Sequence, residues 1–228
     1  MNTLTHNPDE GRVLLIDKPL NWTSFDVIKK IRNIIKVKKV GHAGTLDPLA
    51  TGLLIVCTSK KTKQIEHFME LEKEYTGTMV LGKTTPSVDL ETEFNSEQDW
   101  HHITEQQCRD ATCDFLGEIE QRPPVYSAIK VEGIRAYEKA RQGKKITMKN
   151  RRVKVAEFEL TSVLLPEIVF RIVCSKGTYI RSLIRDFGEK LGAGAYLANL
   201  RRTKIGDYNV KDALTIDQVQ NNDDLSRT

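Results

Sequence analysis

The stretch GHAGTLDPLATG, residues 41–52, holds a single carboxylate, Asp47, between Leu46 and Pro48 in a setting rich in glycine. Glycine lets the backbone turn tightly or pass close to its neighbours, and a following proline holds Asp47 extended. A continuous apolar run follows at once, so the carboxylate is presented from a rigid base, as a nucleophile or general base needs to be. An aspartate before proline is also a common turn former, so the loop alone marks a candidate and no more. A second charged group stands out in CSKGTYIRSLIRDFG, residues 174–188. Arg181 lies in the first turn of a helical pattern, off the apolar stripe of Ile180, Leu183, Ile184, Phe187 and Leu191. A cation at a helix N-terminus is disfavoured by roughly a few tenths of a kcal/mol, so Arg181 calls for an anion, which a surface partner or solvent could also supply.

Metal or disulfide chemistry is not indicated. Cys57, Cys108, Cys113 and Cys174 have no C-x-x-C spacing and read as small buried hydrophobes in a reducing compartment, and the adjacent His101 and His102 lack further ligands nearby.

Several elements must hold these groups in place. VLLID, residues 13–17, reads as a short buried strand ended by Lys18-Pro19, and Thr23 with Asp26 forms a capping-box pattern opening a helix. That helix carries the stripe Ser24, Ile28, Ile31 and Ile35, while Lys29, Arg32 and Lys36 share another face that could be no more than solvated surface. GLLIVCTS, residues 52–59, reads as a fully buried strand, and EYTGTMVLG, residues 74–82, as a half-exposed one. Residues 83–103 are polar and acidic and predict a surface excursion; Thr104 and Gln107 predict a cap for a helix reaching about residue 116. VAEFELTSV is an alternating strand, and residues 169–192 form a strand, a turn and a helix. The irregular order of these elements places the chain in the α+β class, without repeats or low-complexity linkers.

At 228 residues the chain can bury a substantial core, and its net charge of +4, from 35 basic and 31 acidic residues, is too small to identify a nucleic-acid partner by itself. The distribution is more telling: residues 27–46 hold six basic side chains and no acid, whereas residues 89–99 hold five acids and no base. No apolar run is long enough to span a membrane and the N-terminus has no secretory pattern, so a cytoplasmic location is expected.

The blocks KPLNWTSFDV, VGHAGTLDPLATGLLIV, KEYTGTMVLG, PPVYSAIKVEGIRAYEKAR, CSKGTYIRSLIRDFGEKLG and YLANLRRTKIG resemble, in order and spacing, the tRNA pseudouridine synthase B (TruB) family across residues 12 to about 215. The resemblance implies a pseudouridine synthase fold, with a mainly antiparallel bent central sheet flanked by helices and an active-site cleft. It implies a domain organisation of a flexible N-terminus at 1–11, a catalytic domain at 12–215 and a short tail at 216–228 with no room for the PUA domain of many relatives. The implied reaction isomerises uridine-55 in the T-loop of tRNA, with no cofactor and no metal.

By similarity Asp47 is the catalytic carboxylate, ionised beside Arg181, and the target base is flipped out to reach it. Tyr75 stacks on the uracil, His42 fills the space the base leaves, Tyr179 contacts substrate, Leu200 walls the pocket and Lys18 supports the architecture. Lys29, Arg32, Lys36, Arg201 and Arg202, with Lys204 and the stretch from Lys144 to Lys154, are expected to meet phosphates along the T-arm; no protein partner is implied. The rival readings are a tRNA-binding or remodelling protein in which catalysis is secondary, and a hydrolase of the glycosidic bond with paired carboxylates.

Overall fold

The computed structural model describes residues 10–127, 129–131, 133–143 and 146–222. The expectations placed on residues 1–9, on Lys144 and Lys145 and on residues 223–228 lie outside them. Two compact units result: one holds the described residues up to Tyr75 together with those from Arg201 onward, the other Thr76–Leu200. The strands Lys73–Leu81 and Ala195–Ile205 each give residues to both.

In the first unit the strand Val13–Lys18 pairs antiparallel with Ala50–Thr58, in a register running from Val13 opposite Cys57 to Lys18 opposite Gly52. Val40–His42 pairs with the far end of the same strand. The centre of Ala50–Thr58, from Leu53 to Cys57, is apolar because both its faces are covered. Leu54 and Val56 pack with Leu14, Ile16 and the helix stripe Val27, Ile28, Ile31 and Ile35, whereas Leu53, Ile55 and Cys57 pack with Ala43, Phe68 and Ile205 on the other face. The helix Ser24–Ile35 begins where its capping box predicts: the Thr23 hydroxyl accepts from the Asp26 N–H, and the Asp26 carboxylate accepts from the Thr23 N–H at 2.9 Å. The expected tail is in part a folded element. Thr215 caps the helix Ile216–Gln220, and Ile216 and Val219 complete the core under Ser24–Ile35.

In the second unit Arg151–Leu164 pairs antiparallel with Glu167–Cys174 and with Gly117–Gln121. The helix Ile180–Lys190 lays Phe187 against Phe158 and Phe115. Its Gly188 is there because a Cβ would collide with the backbone of Gly194 and Ala195. Thr104 and Gln107 form the expected capping box on Glu105–Ala111, followed by a 3-10 turn at Thr112–Phe115.

Residues 90–102 lie at the surface as expected, but the start of the 83–103 stretch needs correction. Thr85, Ser87, Val88 and Asp89 are buried. The polar groups of this loop satisfy one another: the Thr85 hydroxyl donates to the Asp89 carbonyl at 2.6 Å, Ser87 Oγ donates to it at 3.1 Å, and the Glu91 N–H meets the Asp89 carboxylate at 3.0 Å. Polar composition misleads here because hydroxyls can replace water as partners for a buried backbone. Three of the four cysteines are buried as expected, and Cys113 is exposed.

Candidate active site

Asp47 lies in a loop whose backbone is tied down on both sides. Ser24, the one polar residue on its helix stripe, is buried, accepts the Leu46 N–H at 2.9 Å and donates to the Leu46 carbonyl at 3.2 Å. On the other side, the Pro48 carbonyl accepts the Asn21 N–H at 2.9 Å and the Lys18 ammonium at 3.3 Å, and the Asp47 carbonyl accepts the Ala50 N–H at 3.1 Å. The aspartate is thus held by residues that immediately flank it, and its side chain is only partly exposed.

Beneath this loop are two buried cations. Lys18 is fully buried and donates to the carbonyls of Trp22 at 2.6 Å, Pro19 at 3.0 Å and Pro48, so its three protons meet three acceptors. Burial pulls its pKa from 10.5 down to about 8; the Asp47 charge opposes the drop and Arg202 adds to it. Arg202 is 1% exposed, with Nε donating to the Leu53 carbonyl at 2.8 Å and a terminal nitrogen donating to the Gly44 carbonyl at 3.0 Å. Those two carbonyls bracket Asp47 in sequence. Gly52, at φ +104°, is required because a Cβ there would collide with the Arg202 backbone.

Arg202 therefore does not meet phosphates: a guanidinium held under the loop by backbone carbonyls cannot reach a polyanion outside. Arg201 forks onto the Asp17 carboxylate at 2.6 and 3.0 Å and its side chain stays 40% exposed. His42 is half-buried on the strand Val40–His42, and burial followed by the nearby Arg202 holds its imidazole below the ordinary value, hence neutral at pH 7. Tyr75, in the same unit, faces inward on its alternating strand.

The second unit positions another set. Tyr179 precedes the helix Ile180–Lys190, and the fully buried Gln121 clamps its backbone, accepting the N–H at 2.8 Å and donating to the carbonyl at 3.1 Å. The Arg151 guanidinium lies 5.2 Å from the Tyr179 ring centre. Arg181 is buried, donates to the carbonyls of Ser87 at 3.0 Å and Tyr126 at 2.8 Å, and stands 3.5 Å from the Asp89 carboxylate. Leu200 is buried.

Sequence reasoning did not single out Ser24, which holds Leu46 in the first unit, or Gln121 and Asp89, which meet Tyr179 and Arg181 in the second. A hydroxyl on an otherwise apolar stripe was the legible signal for Ser24; Asp89 was hidden in an acidic run.

Comparison with known proteins gives the family. The family described as TruB family pseudouridylate synthase (N terminal domain) matches residues 32–180, and the tRNA pseudouridylate synthase B C-terminal domain matches residues 181–227. The chain belongs to the TruB family. It is 54% identical over 214 residues to the tRNA pseudouridine synthase B of Flavobacterium johnsoniae, covering 91% of this chain and 93% of the relative. That of Phocaeicola vulgatus is 52% identical over 217 residues, covering 92% of each. Among solved structures, Cbf5 in an archaeal box H/ACA sRNP Nop10-Cbf5 complex is 27% identical with a TM-score of 0.68, over 93% of this chain and 53% of that one. Cbf5 in a Cbf5-Nop10-Gar1 complex gives 29% and 0.71, over 96% and 59%. This TruB chain spans little more than half the length of those solved chains.

The three-proton anchoring of Lys18 makes a pH prediction for this TruB member. Turnover should fall as pH rises through about 8, because the neutral amine loses one donor and frees a carbonyl beside Asp47. The stability contribution runs the other way. The unfolded chain keeps its proton up to 10.5, so between about 8 and 10.5 it binds more protons than the folded state, and folding gains from this group as pH rises. Single-turnover rates and melting temperatures measured across that window test both signs; a flat rate profile would refute the anchoring role.

Proposed function

We infer that the chain is a tRNA pseudouridine synthase that isomerises uridine at position 55 of the T-loop, acting in the cytoplasm. The observation that carries the reading is a carboxylate, Asp47, on a loop braced by Ser24, Lys18 and Arg202. A reaction that detaches uracil from ribose and rejoins it through C5 needs a carboxylate in a fixed pose, and this bracing holds the loop that carries one.

A uridine stacked in a folded loop must first be flipped out, at a cost of about a few kcal/mol that contacts in the pocket offset. Tyr75 provides the stacking surface for the flipped base and stands near C5 for the final proton removal. Neutral His42 fills the vacated space. Tyr179, Arg181 and Leu200 are assigned to substrate contact. Lys18 acts through the loop, as a positioning residue. Incubation with unmodified tRNA followed by pseudouridine mapping tests the function; free uracil as product would instead indicate glycosidic hydrolysis.

With Arg202 engaged internally and the partly exposed Arg201 paired with Asp17, the phosphate contacts assigned along the helix Ser24–Ile35 and at its C-cap are Lys29, Arg32 and Lys36. Three such contacts predict a loss of affinity of roughly 20- to 40-fold between about 50 and 200 mM salt. Filter-binding isotherms over that range check it, and salt-independent affinity would remove the electrostatic part of the account.

A further inference from the structure

Phe25 is 65% exposed, although phenylalanine ordinarily buries most of its ring. It occupies the first turn of Ser24–Ile35, next to the Ser24 hydroxyl that holds Leu46 beside Asp47. Lys29 and Arg32 follow four and seven residues on, so at about 3.6 residues per turn the three side chains line one strip of helix surface. The core-facing stripe of Val27, Ile28, Ile31 and Ile35 lies elsewhere around the helix. Lys36, the left-handed C-cap, is exposed where the helix ends. Arg32 Nε is shielded from solvent and has no hydrogen-bond partner among the described residues. An aromatic ring followed by cations along a single strip fits a nucleic-acid strand better than an apolar protein face, because the strip would set three positive charges against such a partner.

We propose that Phe25 is a base-stacking contact for RNA, taking an unpaired nucleobase whose backbone continues along Lys29, Arg32 and Lys36. The base is not the target uridine. Flipping one base out of an RNA loop leaves its neighbour with an uncovered π-face, and Phe25 directly follows Ser24, whose hydroxyl is tied to Leu46, the residue before Asp47. The proposal rests on the reading of Asp47 as the centre of an RNA-modifying site, and extends it to a base that undergoes no chemistry.

Exposure makes the test clean, since changing the ring should leave the melting temperature unaltered. The affinity of the full chain for unmodified tRNA would be measured for Phe25→Ala, Phe25→Leu and Phe25→Trp. Alanine and leucine are expected to weaken binding by roughly tenfold, with the salt slope unchanged because the ring carries no charge. Tryptophan is expected to keep the affinity and to show quenching on tRNA addition beyond that of the wild type, which has Trp22 and Trp100.

Wild-type affinity in Phe25→Ala, or in Phe25→Leu, would overturn the proposal. So would a concentration-dependent dimer that Phe25→Ala dissolves without weakening tRNA binding. Asp47→Asn run alongside separates the two readings. If it still forms pseudouridine, the assignment of Asp47 fails; if it is inactive while Phe25→Ala binds normally, only the stacking inference fails.

Discussion

Asp47→Asn is expected to lower pseudouridine formation by roughly four orders of magnitude or more, the scale on which loss of a catalytic nucleophile or base acts. The substitution keeps the size of the side chain and removes its charge, so the ties of Leu46, Pro48 and the Asp47 carbonyl should hold the loop as before. Affinity for tRNA should change little, because the phosphate and stacking contacts lie on other residues. Single-turnover assays with pseudouridine mapping, paired with binding isotherms, check both halves. Near-normal isomerisation by the variant would refute the assignment. A parallel loss of binding and rate would show that the carboxylate acts in holding RNA and not in chemistry.

Arg202→Met is expected to have the second largest effect, of a kind opposite to that of a phosphate contact. Removing the guanidinium leaves the carbonyls of Gly44 and Leu53 without their donors, at about 1–3 kcal/mol for each buried acceptor. The loop between them carries Asp47, and a shift of about 1 Å in a reacting group can cost roughly a hundredfold in rate. Turnover and melting temperature should therefore fall together while tRNA affinity and its salt slope stay the same. Had Arg202 met a phosphate, the variant would keep its stability and lose about one unit of salt slope. Arg202→Lys should fall between, since an ammonium retains the charge but cannot span two carbonyls in a planar fork. Calorimetry and salt titration of both variants decide the matter.

Legibility followed locality. The capping boxes at Thr23 and Thr104, the core stripe of Ser24–Ile35, the buried strand Ala50–Thr58 and the alternation of Lys73–Leu81 could all be read because each depends on residues within a turn or two of one another. The segment from Thr85 to Asp89 was misjudged for the converse reason: its burial depends on hydroxyl partners and on Arg181, nearly a hundred residues away in the chain. Arg202 was misjudged in the same way, because an arginine looks identical in sequence whether its partners are phosphates, a carboxylate or backbone carbonyls.

By itself the sequence determined the element types, the α+β class, the family to which the chain belongs and the position of the candidate carboxylate, Asp47. Those follow from short-range periodicity, capping chemistry and the ordered blocks. Only the tertiary structure decided that Lys18, Ser24 and Arg202 brace that carboxylate's loop, and that Lys29 and Lys36 keep their charge on the surface while Arg32 is half-buried. The physical reason is that the free energy of a charged side chain depends on what surrounds it, and those surroundings are assembled from segments far apart along the chain.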